Sequence, residues 1–229
     1  MHRVSEPAIL YFGTPVVLVG SRNRDGSPNL APISSAWWLG WSCMLGFGAR
    51  SETPQNLERE RECVLNLPSV DQVAAVDRLA RLTASDPVPE HKLRMGYRHE
   101  REKFAAAGLT ADRADLVDAP RVRECPVQLE AVVAGVHRLE ADDPSRRGSL
   151  VGIEVKVVRV HLEESILMEG HDDRVDPEKW RPLVMSFCQF FGLTGKIHRS
   201  RLAEIPESAY RPRVAVPAAA AARSLTSTT

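Results

Sequence analysis

Residues 14–38 read TPVVLVGSRNRDGSPNLAPISSAWW, and residues 45–68 read LGFGARSETPQNLERERECVLNLP. The first stretch opens on Thr14 to Ser21, a β-branched run that predicts a buried strand. Asp25-Gly26 then signals a turn. Leu30 to Trp38 and Cys43 to Gly48 predict two further strands, so the three should form an antiparallel meander. The period changes in the second stretch. Thr53 before Pro54 predicts an N-cap and a first helical position, with the helix running to about Arg61. Cys63 to Leu67 returns to strand.

Further along, Ser69 and Gln72 spell a capping box for a helix carrying Val73, Val76, Leu79 and Ala80. Residues 84–100 hold two prolines and many charges, which predicts a long loop with one helical turn. A helix over 100–107 should stop at Gly108. Val127, Leu129, Ala131 and Val133 alternate with less apolar neighbours, and so do Val151, Ile153, Val155 and Val157. The apolar set then moves to Val158, Val160 and Leu162. That parity shift predicts a β-bulge near Val157-Val158. Leu183 to Phe187 is the last predicted strand. Residues 212–229 are rich in alanine, serine and threonine and predict a disordered tail after a single domain over 1–211. The pattern is mainly β with helical insertions, which fits a β-barrel. Strands do not alternate with long helices, which argues against a doubly wound parallel sheet.

The 229 residues carry 30 Lys and Arg against 30 Asp and Glu. A zero balance gives no electrostatic case for nucleic acid or an anionic membrane. Residues 26–49 hold no charge and are long enough to span a bilayer. They also hold prolines, glycines and serines, so two buried strands joined by a turn near Leu39-Gly40 fit better. Cys43, Cys63, Cys125 and Cys188 form no CxxC motif and read as small buried hydrophobes in a reducing compartment. No apolar export segment follows Met1. The expectation is a cytoplasmic protein with no membrane or nucleic-acid partner.

Arg50 to Asn56 is the strongest local signal. A buried strand ends, a cation and hydroxyls appear, and a helix begins. Free N–H groups and the helix dipole suit a phosphate there, with Arg50, Ser51, Thr53 and Asn56 as donors. The plainer alternative is capping by Thr53 with Arg50 in solvent. Gly46-Phe47-Gly48 precedes that helix, but Ser51 stands where a dinucleotide fingerprint needs its third glycine. Asn29 to Ser35 is the second signal. An uncharged strand interrupted by Pro32 can offer free backbone groups to the polar edge of a planar ring. The alternative is an ordinary strand whose serines bond nearby backbone. Trp37, Trp38 and Trp41 can stack on a ring or pack at an interface. His91, Lys92, Arg94, Arg98 and His99 form a basic loop set beside Tyr97, able to meet a phosphate or an acidic substrate, or simply solvated. The acidic and histidine residues between His161 and Asp173 show no metal-ligand spacing, so no metal is expected. No GxSxG occurs.

The order of these features resembles the flavin reductase-like family with an FMN-binding split barrel. The matching positions are Asp25, Gly26, Asn29, Ala31, Pro32, Ser34, Ser51, Thr53, Asn56, Asn66 and Leu67. The blocks KFAAAGL from Lys103 and ECPVQLEA from Glu124 also resemble the family. The resemblance implies a homodimer binding FMN, reduced by NADH or NADPH and often supplying a partner monooxygenase. By carry-over, Asn29, Ala31, Ile33, Ser34 and Ser35 would hold the isoalloxazine, and Arg50, Ser51, Thr53 and Asn56 the ribityl phosphate. No catalytic side chain is compulsory, because the ring does the redox chemistry; His99 is the candidate to contact nicotinamide or substrate. The alternative is a non-enzymatic flavin carrier or sensor.

Overall fold

The computed structural model describes residues 1–210, so the predicted tail lies outside the described residues. The chain runs β1 Phe12–Pro15, β2 Val17–Arg22, β3 Pro28–Ile33, β4 Ala36–Leu39, β5 Ser42–Gly48, α1 Glu52–Glu60 and β6 Glu62–Leu67. The insertion that follows holds α2 Val73–Leu79, β7 Leu82–Thr83, α3 Glu90–Arg94, β8 Arg98–His99, α4 Lys103–Ala107, β9 Ala111–Asp112 and β10 Arg121–Val122. Two long strands, β11 Val127–Arg138 and β12 Leu150–Leu162, precede β13 Leu183–Ser186 and β14 Gln189–Gly192.

The central sheet has seven strands in the order β3-β2-β6-β11-β12-β5-β4. Every pairing in it is antiparallel. Strands β3 and β4 are chain neighbours, yet they occupy opposite edges. Only Ser34 and Ser35 separate them, so the sheet must curl until its edges nearly meet. The Gly46 N–H donates to the Ser35 carbonyl at 2.7 Å, carrying the β4–β5 ladder up to the edge of that seam. A Cβ on Gly46 would sit 2.9 Å from Ser35 Cβ, so the close approach depends on glycine. The sheet is not closed by a β3–β4 ladder. It is a split barrel, as the sequence led us to expect.

Three expectations are corrected here. Leu30 to Trp38 is not one strand, because the seam breaks it at Ser34–Ser35. The meander pairs only within the β2–β3 and β4–β5 hairpins, since β6, β11 and β12 lie between them. Thr14 to Ser21 likewise divides at Val16, and β1 joins β13 and β14 in a separate three-stranded sheet.

Strand parity explains the apolar runs. Val17 and Val19 point into the barrel with Leu45, Leu65, Ala131 and Ile153. Leu18 and Leu30 face outward beneath Val76 and Leu79 of α2 and Phe104 of α4. β2 is thus buried on both faces, which is why its sequence shows no alternation. The β12 bulge falls where parity predicted it: Glu130 pairs with Arg159 and Ala131 with Val157, leaving Val158 extra. It turns Val158 outward onto Leu116. The capping box at Ser69 and Gln72 is present, and Gly108 closes α4 with φ 66°. That helix is shorter than expected, because β8 holds Arg98–His99 and the Glu100 carboxylate accepts the Glu102 N–H. No helix among the described residues is long and apolar enough to cross a membrane.

Candidate functional site: a cationic cradle at a helix start

Helix α1 begins at Glu52 with Ser51 as its N-cap. This corrects the expectation of Thr53 as the cap. Thr53 Oγ1 is turned to β3, where it accepts from the Asn29 amide at 3.2 Å. The helix therefore starts earlier, and Pro54 falls in the first turn, where a missing N–H costs nothing. The N–H groups of Glu52 and Thr53 lie at the start of the helix, without intrahelical acceptors. The Ser51 hydroxyl caps no N–H either.

Two lysines converge on this helix start from the insertion. Lys92 of α3 donates to Ser51 Oγ at 3.4 Å and lies 5.7 Å from the Tyr97 ring centre. Lys103, the first residue of α4, is 4% exposed and donates to Asn29 Oδ1 at 2.9 Å. Neither makes a salt bridge among the described residues. Burial, with Lys92 nearby, pushes Lys103 down from 10.5 to about 8, and Glu52 and Glu100 offset this only in part. Burial also lowers Lys92, against the pull of Glu52. Two ammonium groups that no carboxylate salt-bridges, beside two hydroxyls and a helix start, make a cationic cradle with the chemistry to suit an anion.

A buried polar chain stands behind the cradle. The Asn29 amide donates to Ser21 Oγ at 3.0 Å as well as to Thr53. The Asn56 amide donates to Ser21 Oγ at 3.3 Å and Asn23 Oδ1 at 3.1 Å. Arg59 donates to Asn56 Oδ1 at 2.9 Å. Asn29 and Asn56 are both fully buried. The Asn29 amide holds Lys103 and Thr53, while the Asn56 amide ties Ser21, Asn23 and Arg59 together behind it.

Ala31, Ile33, Ser34 and Ser35 are half-buried along β3 and the seam. β3 is an edge strand, so its outer backbone groups have no strand partner. Ser35 is already engaged: its hydroxyl lies 2.9 Å from Tyr11 Oη. Arg50 is exposed beside the cradle. His99 is exposed on β8, with Nδ1 3.3 Å from the Ser85 carbonyl, and makes no hydrogen bond to the cradle.

Sequence reasoning grouped Lys92 with its basic neighbours, of which it alone reaches Ser51. It knew Lys103 only as the start of a family block. One lysine at the head of a short apolar helix carries no spacing signal. Its role emerges only when α4 packs on β3.

Among the described residues, the acidic and histidine residues between His161 and Asp173 form no close ligand cluster of their own. Glu169, His171 and Asp172 line a shallow hollow with Lys179. His161 instead lies against Glu130, with Asp115 close by, their ligand-type atoms within 4.8 Å of one another. Glu130 accepts the N–H groups of Asp115 at 2.9 Å and Leu116 at 2.6 Å, and His161 Nε2 is 2.6 Å away. Burial raises the Glu130 carboxyl, but those bonds outweigh it and leave it below its ordinary value. This is a structural tie. Burial pushes the Cys43 thiol up to about 12. It raises Cys63 and Cys125 further, so these are inert core groups.

Residues 9–192 match the family described as flavin reductase like domain. Uncharacterized protein YdfE of Bacillus subtilis (strain 168) is 37% identical over 198 residues, covering 85% of this chain and 92% of that protein. Among solved structures, flavoredoxin of Desulfovibrio vulgaris (Miyazaki F) superposes with a TM-score of 0.70 at 21% identity, over 90% of this chain and 100% of that one. Nitrilotriacetate monooxygenase component B from Bacillus cereus gives 0.67 at 19% identity, over 84% and 89%. At those identities the two structures speak for the fold, while the family match spans most of the chain and takes in the cradle. The chain belongs to the flavin reductase-like family.

Proposed function

We propose that this protein is an FMN-dependent oxidoreductase of the flavin reductase type, taking hydride from NADH or NADPH and passing electrons to free flavin or another acceptor. The observation that carries this reading is the pair of lysines, Lys92 and Lys103, neither salt-bridged among the described residues, set against Ser51, Asn29 and the start of α1. An FMN phosphate matches that cradle in charge and donor number. When bound, the flavin supplies the redox chemistry. Lys92, Lys103, Ser51 and Thr53 hold the phosphate, with Arg50 at the rim. Asn29 and Asn56 act from behind it. Backbone at Ala31, Ile33 and Ser34 is the proposed rest for the ring edge, with Ser35 held in place by Tyr11. His99 is retained only as a contact for nicotinamide or substrate approaching over the exposed loop.

A homodimer completes the proposal. Trp37 and Leu39 are 57% and 77% exposed on the edge strand β4, and Phe12 packs edge-to-face with Phe187 on the adjoining sheet. A bare apolar edge of this kind is ordinarily covered. The similarity to a monooxygenase component supports delivery of reduced flavin to a partner oxygenase.

The test is an anaerobic mixture of protein, FMN and NADH, then NADPH, followed by flavin absorbance. Rapid bleaching is the expected result. Tight FMN binding with no bleaching by either nucleotide would replace the reductase reading with a carrier or sensor. Absence of FMN binding would remove the cradle assignment itself.

A further inference from the structure

Glu130 of β11 is a carboxylate with no exposed surface. Buried charges are ordinarily paired with a permanent cation or bound to a metal. Arg159 stands directly opposite Glu130 in the β11–β12 ladder, yet it turns to Asp115 at 2.6 Å. The side-chain partner left to Glu130 among the described residues is an imidazole, a cation only when protonated: His161 Nε2 lies 2.6 Å away. Its other bonds come from backbone, the N–H groups of Asp115 and Leu116.

The fold brings three donors to one spot on the outside of the barrel. Leu129 and Ala131 face the core, so Glu130 between them faces out. The Val158 bulge resets the parity of β12 and turns His161 to that same face; without the extra residue His161 would point inward. Asp115 arrives on the segment between β9 and β10. One nitrogen and two carboxylate oxygens, one from each residue, lie within 4.8 Å of one another. Spacing along the chain hides this set, because its members come from three separate segments. Donors about 2.1 Å from one zinc-type ion stand about 3.4 Å apart in a tetrahedron. Small side-chain rotations reach that arrangement. The Asp115 and His161 side chains are 45% and 23% exposed and have room to turn. Glu130 is held still by its two backbone N–H bonds, the kind of support that orients a carboxylate ligand. Arg159 engages Asp115 Oδ2 and leaves Oδ1 outside that pair. Two carboxylates against one guanidinium leave one negative charge, which suits a divalent cation.

We propose that Asp115, Glu130 and His161 bind one divalent transition-metal ion of the zinc type, with water completing its shell, and that the ion clips the segment between β9 and β10 to the sheet. His161 binds through Nε2, with its ring hydrogen on Nδ1. The imidazole nitrogen favours such an ion over calcium and magnesium, which take oxygen ligands. The site shares no residue with the cradle and does not depend on the flavin reading.

The full chain, stripped with a chelator, is titrated with Zn²⁺ by calorimetry and with Co²⁺ by visible absorbance. One equivalent should bind. Zinc at roughly a hundredfold excess over Kd should raise the melting temperature by about 5–10 °C, and Mg²⁺ should not. His161→Gln keeps an N–H for Glu130, and Asp115→Asn keeps an acceptor for Arg159. Each should weaken zinc by about tenfold or more and abolish the cobalt bands, with FMN affinity unchanged. Should His161→Gln fail to fold by circular dichroism, the exposed Asp115→Asn decides. His171→Gln, in the neighbouring hollow, should bind zinc as the native chain does. Absence of stoichiometric binding by the native chain would overturn the proposal. So would zinc affinity that survives in the folded His161 and Asp115 variants, or that is lost in His171→Gln instead.

Discussion

Lys103 carries a charge where the fold gives it one amide and a neighbouring ammonium. Its ordinary value of 10.5 falls to about 8 through burial first and Lys92 second. The unfolded chain therefore binds more protons at this position between those two values. Stability should rise with pH across that window and carry the full penalty below it, on the order of 3 kcal/mol. Lys103→Met should thus raise the melting temperature of the flavin-free protein at pH 7 and erase this part of the rise towards pH 10. A variant less stable than the native chain at pH 7 would contradict this. The same substitution should weaken FMN by about 10- to 100-fold, the worth of a charged hydrogen bond, and leave riboflavin, which lacks the phosphate, unaffected. Native affinity for FMN should decline above about pH 8, as the free protein loses the Lys103 proton. Ser51 and Thr53 were visible in the sequence because hydroxyls before a helix have a local meaning. Lys103 was not, because its meaning comes from β3, far away along the chain.

Short elements were readable where a rule is local. The Ser69–Gln72 capping box, the Gly108 stop and the Val158 bulge each depend on a few adjacent residues. The start of α1 was misplaced because Thr53 answers to Asn29 rather than to its own helix. The segment around β9 and β10 illustrates the same limit. Polar side chains of the sheet hold it: Glu62 accepts the Ala119 N–H at 3.2 Å, Asn66 accepts Val122 at 2.7 Å, and Glu130 accepts Asp115 and Leu116. Gly20 lets it lie close, since a Cβ there would come within 2.2 Å of the Pro120 carbonyl oxygen. Nothing in a strand sequence marks a glutamate as an anchor for a loop. Glu130→Ala strands N–H groups that the carboxylate now holds and should cost about 3 kcal/mol in urea unfolding, whereas Glu130→Gln, which keeps an acceptor, should cost less. Equal losses for the two variants would show that shape, not hydrogen bonding, is what Glu130 provides.

The barrel as a whole was expected from the proportion of strands, but its order was not. Val19 pairs with Leu65, and Leu45 with Ile153, and no local pattern announces partners so distant. The same holds for the exposed face of β4, which becomes conspicuous only once β4 is seen to be an edge. Arginine at Trp37 and Leu39 together should convert a dimer to a monomer in sedimentation velocity, with the fold intact by circular dichroism. A native chain that sediments as a monomer at micromolar concentration would remove that interface. The position of the seam also bears on how the protein is made. The β2–β3 and β4–β5 hairpins leave the ribosome before residue 50, tethered by Ser34 and Ser35. The two strands that must slide between β6 and β5 are residues 127–162. Throughout that interval of synthesis β5 has only one of its neighbours, and an apolar strand edge stands open to any other nascent chain. The barrel is completed at its middle, by the hairpin that arrives last of its seven strands.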